Sequence, residues 1–291
     1  MSRLTPNLRG VLWMVAAMAA FALEDALIKH VTRELPVGQV LMGFGLGGAL
    51  LFALVARCRH TRLWVREVLS PAMQVRACFE LVGRLFYVLA VALTPLSATT
   101  IILQATPVLV VLGGSLVFKE RVGAVRWMAV VAGLAGVMLI LRPGAEAFSP
   151  LSLLAIVGMA GFAGRDLASR AAPSVLGTVH LGFFGFVTVA VAGALFAVWD
   201  GRAFLWPDAS IAAVWVGSVL IGTSAYSALM KAMRTGDIAT VTPFRYTRLL
   251  FGVGLGVLAF GEPLSADMLL GSVVIASAGL LIAWDGRRRG A

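Results

Sequence analysis

Runs of about 20 apolar residues follow one another along almost the whole chain, separated by short segments that carry Pro and most of the Lys and Arg. Spans are predicted over residues 8–30, 36–56, 71–93, 96–118, 124–141, 150–170, 177–199, 210–233, 237–260 and 264–284. Pro36, Pro95, Pro150 and Pro263 mark several of the breaks. Hydrocarbon offers no hydrogen-bond partners to an open strand edge, so each span must be a helix. The pattern therefore predicts an all-α polytopic membrane protein of ten transmembrane helices embedded in a lipid bilayer.

Composition agrees with this pattern. Sixty per cent of the 291 residues are hydrophobic and 13% are charged, more apolar surface than one globular core can hide from water. The formal net charge of +10 is scattered over loops and forms no continuous basic stripe, which argues against a nucleic-acid partner. In a membrane protein, scattered Lys and Arg report orientation. With the N-terminus inside, the inner set is Arg3, Arg9, Arg57, Arg59, Arg62, Arg66, Lys119, Arg121, Arg126, Arg165, Arg170, Lys231, Arg234 and Arg287 to Arg289. Only Lys29, Arg33, Arg142 and Arg202 fall outside, and Lys29 and Arg33 leave the first hairpin as the poorest fit. Both termini are expected in the cytoplasm of a bacterial-type inner membrane. Arg3 and Arg9 before the apolar run Val11–Leu23 imitate a signal peptide, but nine later spans favour an uncleaved first helix. Cys58 and Cys78 belong to no CxxC or Cys/His cluster, so neither a disulfide nor a metal site is expected, and no cofactor is implied.

The chain repeats itself. Met18 to Lys29 aligns without a gap on Met159 to Arg170, with Met18/Met159, Phe21/Phe162, Ala22/Ala163 and Asp25/Asp166 identical at a shift of 141. Further on, Glu120 matches Glu262 after a small gap. The halves, 1–145 and 146–291, hold five spans each, and an odd number inserts the second half in the opposite orientation. Inverted repeats of this kind are typical of secondary transporters, whose substrate sits near the bilayer midplane.

Each half has a small-residue turn before its fourth helix, Pro95-Leu96-Ser97-Ala98 and Gly236-Asp237-Ile238-Ala239. Each also has an acidic ending, Lys119-Glu120-Arg121 and Gly261-Glu262-Pro263. These features resemble the EamA branch of the drug/metabolite transporter superfamily over nearly the whole chain. The resemblance implies ten helices around a central cavity, alternating access and small metabolite substrates, often exported amino acids. Within the branch the chain looks most like the YddG-type amino-acid exporters. It departs at the second helix, where members often carry an Arg and this chain reads Leu41-Met42-Gly43-Phe44.

Arg76, Glu80 and Arg84 are spaced by four in the third span and share one helical face, which Tyr87 continues. A charge at the bilayer centre costs about 2.5–3.5 kcal/mol or more, so this face must meet a wet cavity or a partner. Two readings remain open: a substrate-binding face led by Arg84, whose fork suits a carboxylate, or an Arg–Glu–Arg ladder that cancels its own charge and locks packing. Glu24 and Asp25 interrupt the first span on adjacent faces, and at most one is expected to point inward. Either acid could pair with a cavity Arg or receive a substrate ammonium, or could be an interfacial acid paired with Lys29 or Arg33; the last is favoured for Glu24, whereas Asp25 is favoured inward by its repeat mate Asp166.

Gln104 brings an amide into the fourth span, and Pro107 interrupts that helix by removing a backbone donor. Pro243, Arg245 and Tyr246 stand in the related ninth span. Gln104, Arg245 and Tyr246 are candidate substrate contacts, and Pro107 and Pro243 are candidate hinges. Trp13 completes the substrate-binding set. His30, His60 and His180 share no ligand spacing and are read as solvated or structural.

No GxxxxGK[ST] motif is present to bind ATP, and no HExxH or GxSxG motif suggests catalysis. The leading expectation is a secondary transporter of small metabolites, an exporter of amino acids, acting as a monomer or homodimer. The alternatives are an intramembrane enzyme acting on lipid or peptide, and an uptake carrier for another small metabolite such as a vitamin.

Overall fold

The structure, a computed structural model, describes residues 5–117, 123–141, 149–235 and 241–290. In chain order the helices are α1 (Pro6–Val31), α2 (Val37–Cys58), α3 (Pro71–Leu93), α4 (Leu96–Leu103), α5 (Thr106–Val117), α6 (Ala124–Leu141), α7 (Ser152–Arg170), α8 (Thr178–Asp200), α9 (Ala209–Thr235), α10 (Thr247–Phe260) and α11 (Ala266–Gly290). Two short 3-10 turns, Arg66–Leu69 and Thr242–Tyr246, precede α3 and α10. Among the described residues the expected spans are recovered within a few positions, because lipid leaves a long apolar segment no other way to satisfy its backbone. Five helical stretches are long and apolar enough to cross a membrane by length and composition: Pro6–Val31, Val37–Cys58, Leu96–Val117, Thr178–Asp200 and Ala209–Ala232.

The fourth span is broken, and the sequence explains where. Pro107 has no N–H to give the carbonyl of Leu103, and the hydroxyl of Thr106 donates to that carbonyl instead. The amides of Gln104 and Ala105 close a tight turn onto Ile101 and Ile102, and Pro107 then sits in the first turn of α5, where its missing donor costs nothing. The ninth span enters through the 3-10 turn Thr242–Tyr246, which carries Pro243 near its start. The side chain of Pro243, the boundary at 145/146, and the motif stretches Lys119–Arg121 and Gly236–Ala239 lie outside the described residues.

The chain forms two compact units. One comprises Met1–Leu23, Thr94–Leu153 and Ser224–Ala291, the other Glu24–Leu93 and Leu154–Thr223, so each draws on both halves of the sequence.

In the first unit α4 packs on α10, and α6 on α11. Gly252 of α10 faces Thr100 of α4, and Gly136 of α6 faces Gly271 of α11, so small residues bring backbones close where hydrophobicity cannot drive association. A core of Met14, Ala17, Met18, Ala228, Ala232 and Val241 lies beside these pairs.

In the second unit the main pair is α2 with α8. Gly45 faces the backbone of Ala190, Gly193 faces that of Met42, and Phe186 stacks between Phe44 and Phe52 with ring centroids 5.4 and 5.7 Å away. Gly83 of α3 and Gly161 of α7 likewise approach with little between them. The main pairs, α4 with α10, α6 with α11 and α2 with α8, join helices at equivalent places in the two halves.

Candidate functional site

The face of α3 bearing Arg76, Glu80, Arg84 and Tyr87 is the centre of a buried polar network in the second unit. At the start of the face, Arg76 donates through Nε to Ser169 Oγ at 3.0 Å and through Nη2 to Glu80 Oε2 at 3.1 Å. Glu80 receives a second cation: Arg165 of α7 donates through Nη1 to Oε1 at 3.2 Å. Arg165 also holds its neighbour Asp166 through Nε and Nη2, at 3.0 and 2.8 Å, and its guanidinium lies 4.7 Å above the ring of Phe162. Gly185 of α8 faces this pair, and a Cβ there would lie at ordinary contact distance, 3.5 Å from Arg76 and 3.7 Å from Glu80.

Further along α3 the partners come from α1. Glu24 accepts from Nη2 of Arg84, and Asp25 accepts from the Tyr87 hydroxyl at 2.8 Å. Both acids are buried, Glu24 at 1% exposure and Asp25 at 2%, which overturns the expectation that only one could point inward. Two successive helix residues lie about 100° apart, and both can be enclosed where helices pack on more than one side. Arg84 is thus a partner of Glu24 across the unit, as in the reading that pairs this acid with a cavity arginine. Gly222 of α9 leaves space beside Glu24 and Phe44.

The arginines differ in how fully they are used. Arg76 and Arg165 each spread their donors over two or more acceptors. Arg84, near the middle of α3, makes its one hydrogen bond among the described residues to Glu24, and its buried Nε has no partner there. Its guanidinium carbon lies over the ring of Phe44, 4.6 Å from the ring centre. Such a cation–π contact supports a cation without using a hydrogen-bond acceptor. Arg84 is thus a fixed charge with spare N–H groups, on a side chain 12% exposed.

Arg165 was counted from sequence as an orientation-reporting charge, and the structure places it in the network instead. A signal was available: at the repeat shift of 141, Arg165 is the counterpart of Glu24. The acid in one half meets an arginine of α3, and the base in the other half meets its glutamate.

The first unit holds the remaining candidates. Gln104 Nε2 donates to the carbonyl of Arg245 at 3.0 Å. Tyr246 lies against Gly279 of α11, and its hydroxyl, like that of Thr100, is buried without a hydrogen-bond partner among the described residues. Arg248 stacks on Phe21 at 5.2 Å. Trp13 is at the half-exposed border and receives the Lys231 ammonium at 4.5 Å from its ring centre. Glu262 caps α4, accepting from the amides of Leu96 and Ser97 at 2.6 and 2.9 Å. His180 is structural, bonded to the carbonyl of Arg62 at 3.0 Å. No cluster of His, Cys, Asp and Glu suited to a metal occurs among the described residues.

The chain is 27% identical over 281 residues to a riboflavin transporter of Rhizobium johnstonii, spanning 96% of this chain and 92% of that protein. It is 28% identical to the pseudopaline exporter CntI of Pseudomonas aeruginosa, over 91% of this chain and 93% of the relative. A S-adenosylmethionine uptake transporter of Rickettsia prowazekii is 20% identical over 97% and 94% of the two chains. A solved crystal structure with 19% identity matches the fold at a TM-score of 0.61, covering 97% of this chain and 99% of that one. The model of the EamA-like transporter family matches twice, at residues 8–142 and 150–284. With nearly its whole length accounted for by two copies of that module, the chain belongs to the EamA-like transporter family of small-molecule transporters.

Proposed function

We propose that the protein is a secondary carrier for small carboxylate-bearing metabolites, and that it exports amino acids across the inner membrane by alternating access between halves 1–145 and 146–291. The observation that carries this reading is Arg84. A guanidinium in the middle of a membrane span, stacked on Phe44, held by one carboxylate and retaining a buried Nε–H without a partner, needs a further acceptor. A substrate carboxylate supplies one with matching fork geometry. The ammonium of an amino acid would find its complement in Glu24 and Asp25, which lie side by side on α1. The broken fourth span and the 3-10 entry to the ninth add the paired discontinuities that accompany substrate sites in inverted-repeat carriers.

A second reading, an uptake carrier for a vitamin, is favoured by a different observation. Riboflavin transporters of Rhizobium johnstonii and Vibrio cholerae align over 96% and 97% of this chain. The named substrates of the relatives differ in chemistry and direction, so this likeness supports the second reading without deciding between the two.

Counterflow in proteoliposomes, run with the twenty proteinogenic L-amino acids and with riboflavin, separates the two. Saturable exchange of one or more amino acids is expected. Exchange of riboflavin with none of the amino acids would replace the first reading by the second.

A further inference from the structure

Glu80 and Arg84 stand four residues apart on one face of α3 with the glutamate on the N-terminal side, the order in which an i,i+4 ion pair is intrinsically favoured. The structure does not form that pair. Glu80 is turned the other way, to Arg76, in the less favoured order, and its second oxygen is taken by Arg165. Both carboxylate oxygens are therefore engaged by arginines other than Arg84, while Arg84 keeps N–H groups unused.

From this we infer that Arg165 is a positioning residue for transport: it draws Glu80 off Arg84, so that the guanidinium of Arg84 stays open to a substrate carboxylate. The inference rests on the proposed role of Arg84 and adds a residue that does not itself touch substrate. Arg165 is suited to the task because α7 approaches α3 closely through Gly161 and Gly83, and because Asp166 and the Phe162 ring fix its guanidinium. Without Arg165, Glu80 Oε1 loses its partner in a low-dielectric setting, and Arg84, four residues further along the same face of α3, offers donors that it does not use. An internal carboxylate would then occupy the place intended for the substrate.

The test uses phenylglyoxal, which modifies accessible guanidinium groups, on purified full-length protein in nanodiscs, with modification at Arg84 and Arg76 followed by peptide mass spectrometry. In the unaltered protein Arg84 should react faster than Arg76. Arg165→Gln should slow reaction at Arg84 by about fivefold or more, and adding Glu80→Gln should reverse most of that loss. Arg165→Lys, which keeps a cation for Glu80, should leave Arg84 nearly as reactive as before and serves if the Gln variant does not fold. Unchanged Arg84 reactivity in Arg165→Gln, protection in Arg165→Lys equal to that in Arg165→Gln, or protection that Glu80→Gln does not relieve would overturn the positioning role alone. Arg84 reacting no faster than Arg76 in the unaltered protein would overturn the role of Arg84 on which it rests.

Discussion

The amide of Gln104 donates a 3.0 Å hydrogen bond to the backbone carbonyl of Arg245, and the two residues lie 141 positions apart, the same interval that superimposes the two halves of the sequence. Equivalent positions of the repeat thus meet directly, at the point where the fourth span breaks and the ninth begins. A 3-10 turn leaves carbonyls without helical partners, and in a membrane span water is not at hand to serve them. Gln104→Leu should leave the Arg245 carbonyl with only the Thr247 amide as donor and destabilise the protein by about 1 kcal/mol, seen as a lower Tm in detergent. An unchanged Tm would mean that the bond contributes nothing there.

A second pair of equivalent positions, Gln39 and His180, performs one task twice. Gln39 at the start of α2 binds both the carbonyl and the amide of Leu205, in the segment after α8, at 2.7 and 2.9 Å. His180 at the start of α8 bonds the carbonyl of Arg62, in the segment after α2. Gln39→Ala should lower Tm more than His180→Ala, because two backbone groups lose their partner instead of one, at about 1 kcal/mol each. The reverse order would contradict the clamp.

Asp208 caps α9 from an exposed position. Its carboxylate accepts from the Ile211 amide and the Ser210 hydroxyl, both at 2.8 Å, and these bonds hold its pKa below the ordinary aspartate value. A depressed pKa means the cap contributes fully above the unfolded value, about 3.9, and is lost as pH falls through the lower folded value. Hydrogen exchange at the Ile211 amide, corrected for its intrinsic rate, should accelerate as pH drops below about 4. In Asp208→Asn that acceleration should disappear, since an amide caps without titrating.

Orientation follows from the charges. Cysteine labels replacing Arg59 and Arg288 should react from the cytoplasmic side and one at Asp208 from the outside. Labelling of Arg59 and Arg288 from opposite sides would remove the ten-span arrangement and, with it, the inverted insertion of the second half.

The spans were legible in the sequence because lipid imposes a single rule on every one of them, and small errors at the ends change nothing. The break at Gln104 was legible only as a disturbance at Pro107, since its location depends on which carbonyl loses a donor and on Thr106 being there to replace it. The α3 face was legible from spacing alone. Its partners were not: charge counting treats an arginine near a helix end as an orientation signal, so Arg165 was assigned to the cytoplasmic margin. For Glu24 spacing left both the nearby cations and a cavity arginine open, because it does not say which helices meet, and the bond to Arg84 comes from packing. Compact units drawn from both halves were also invisible to a reading that divides the chain at 145/146, because sequence similarity records ancestry and packing records which helices meet.

Arg84 is the proposed anchor for the substrate carboxylate. Counterflow by wild type, Arg84→Gln and Arg84→Lys should be measured in proteoliposomes holding equal amounts of folded protein, using the best-transported L-amino acid and its amide. Gln should reduce exchange of the amino acid by about tenfold or more and affect the amide far less, with Lys partly restoring the former because it returns the charge without the fork. Equal exchange of the amino acid by wild type and Arg84→Gln would contradict the assignment.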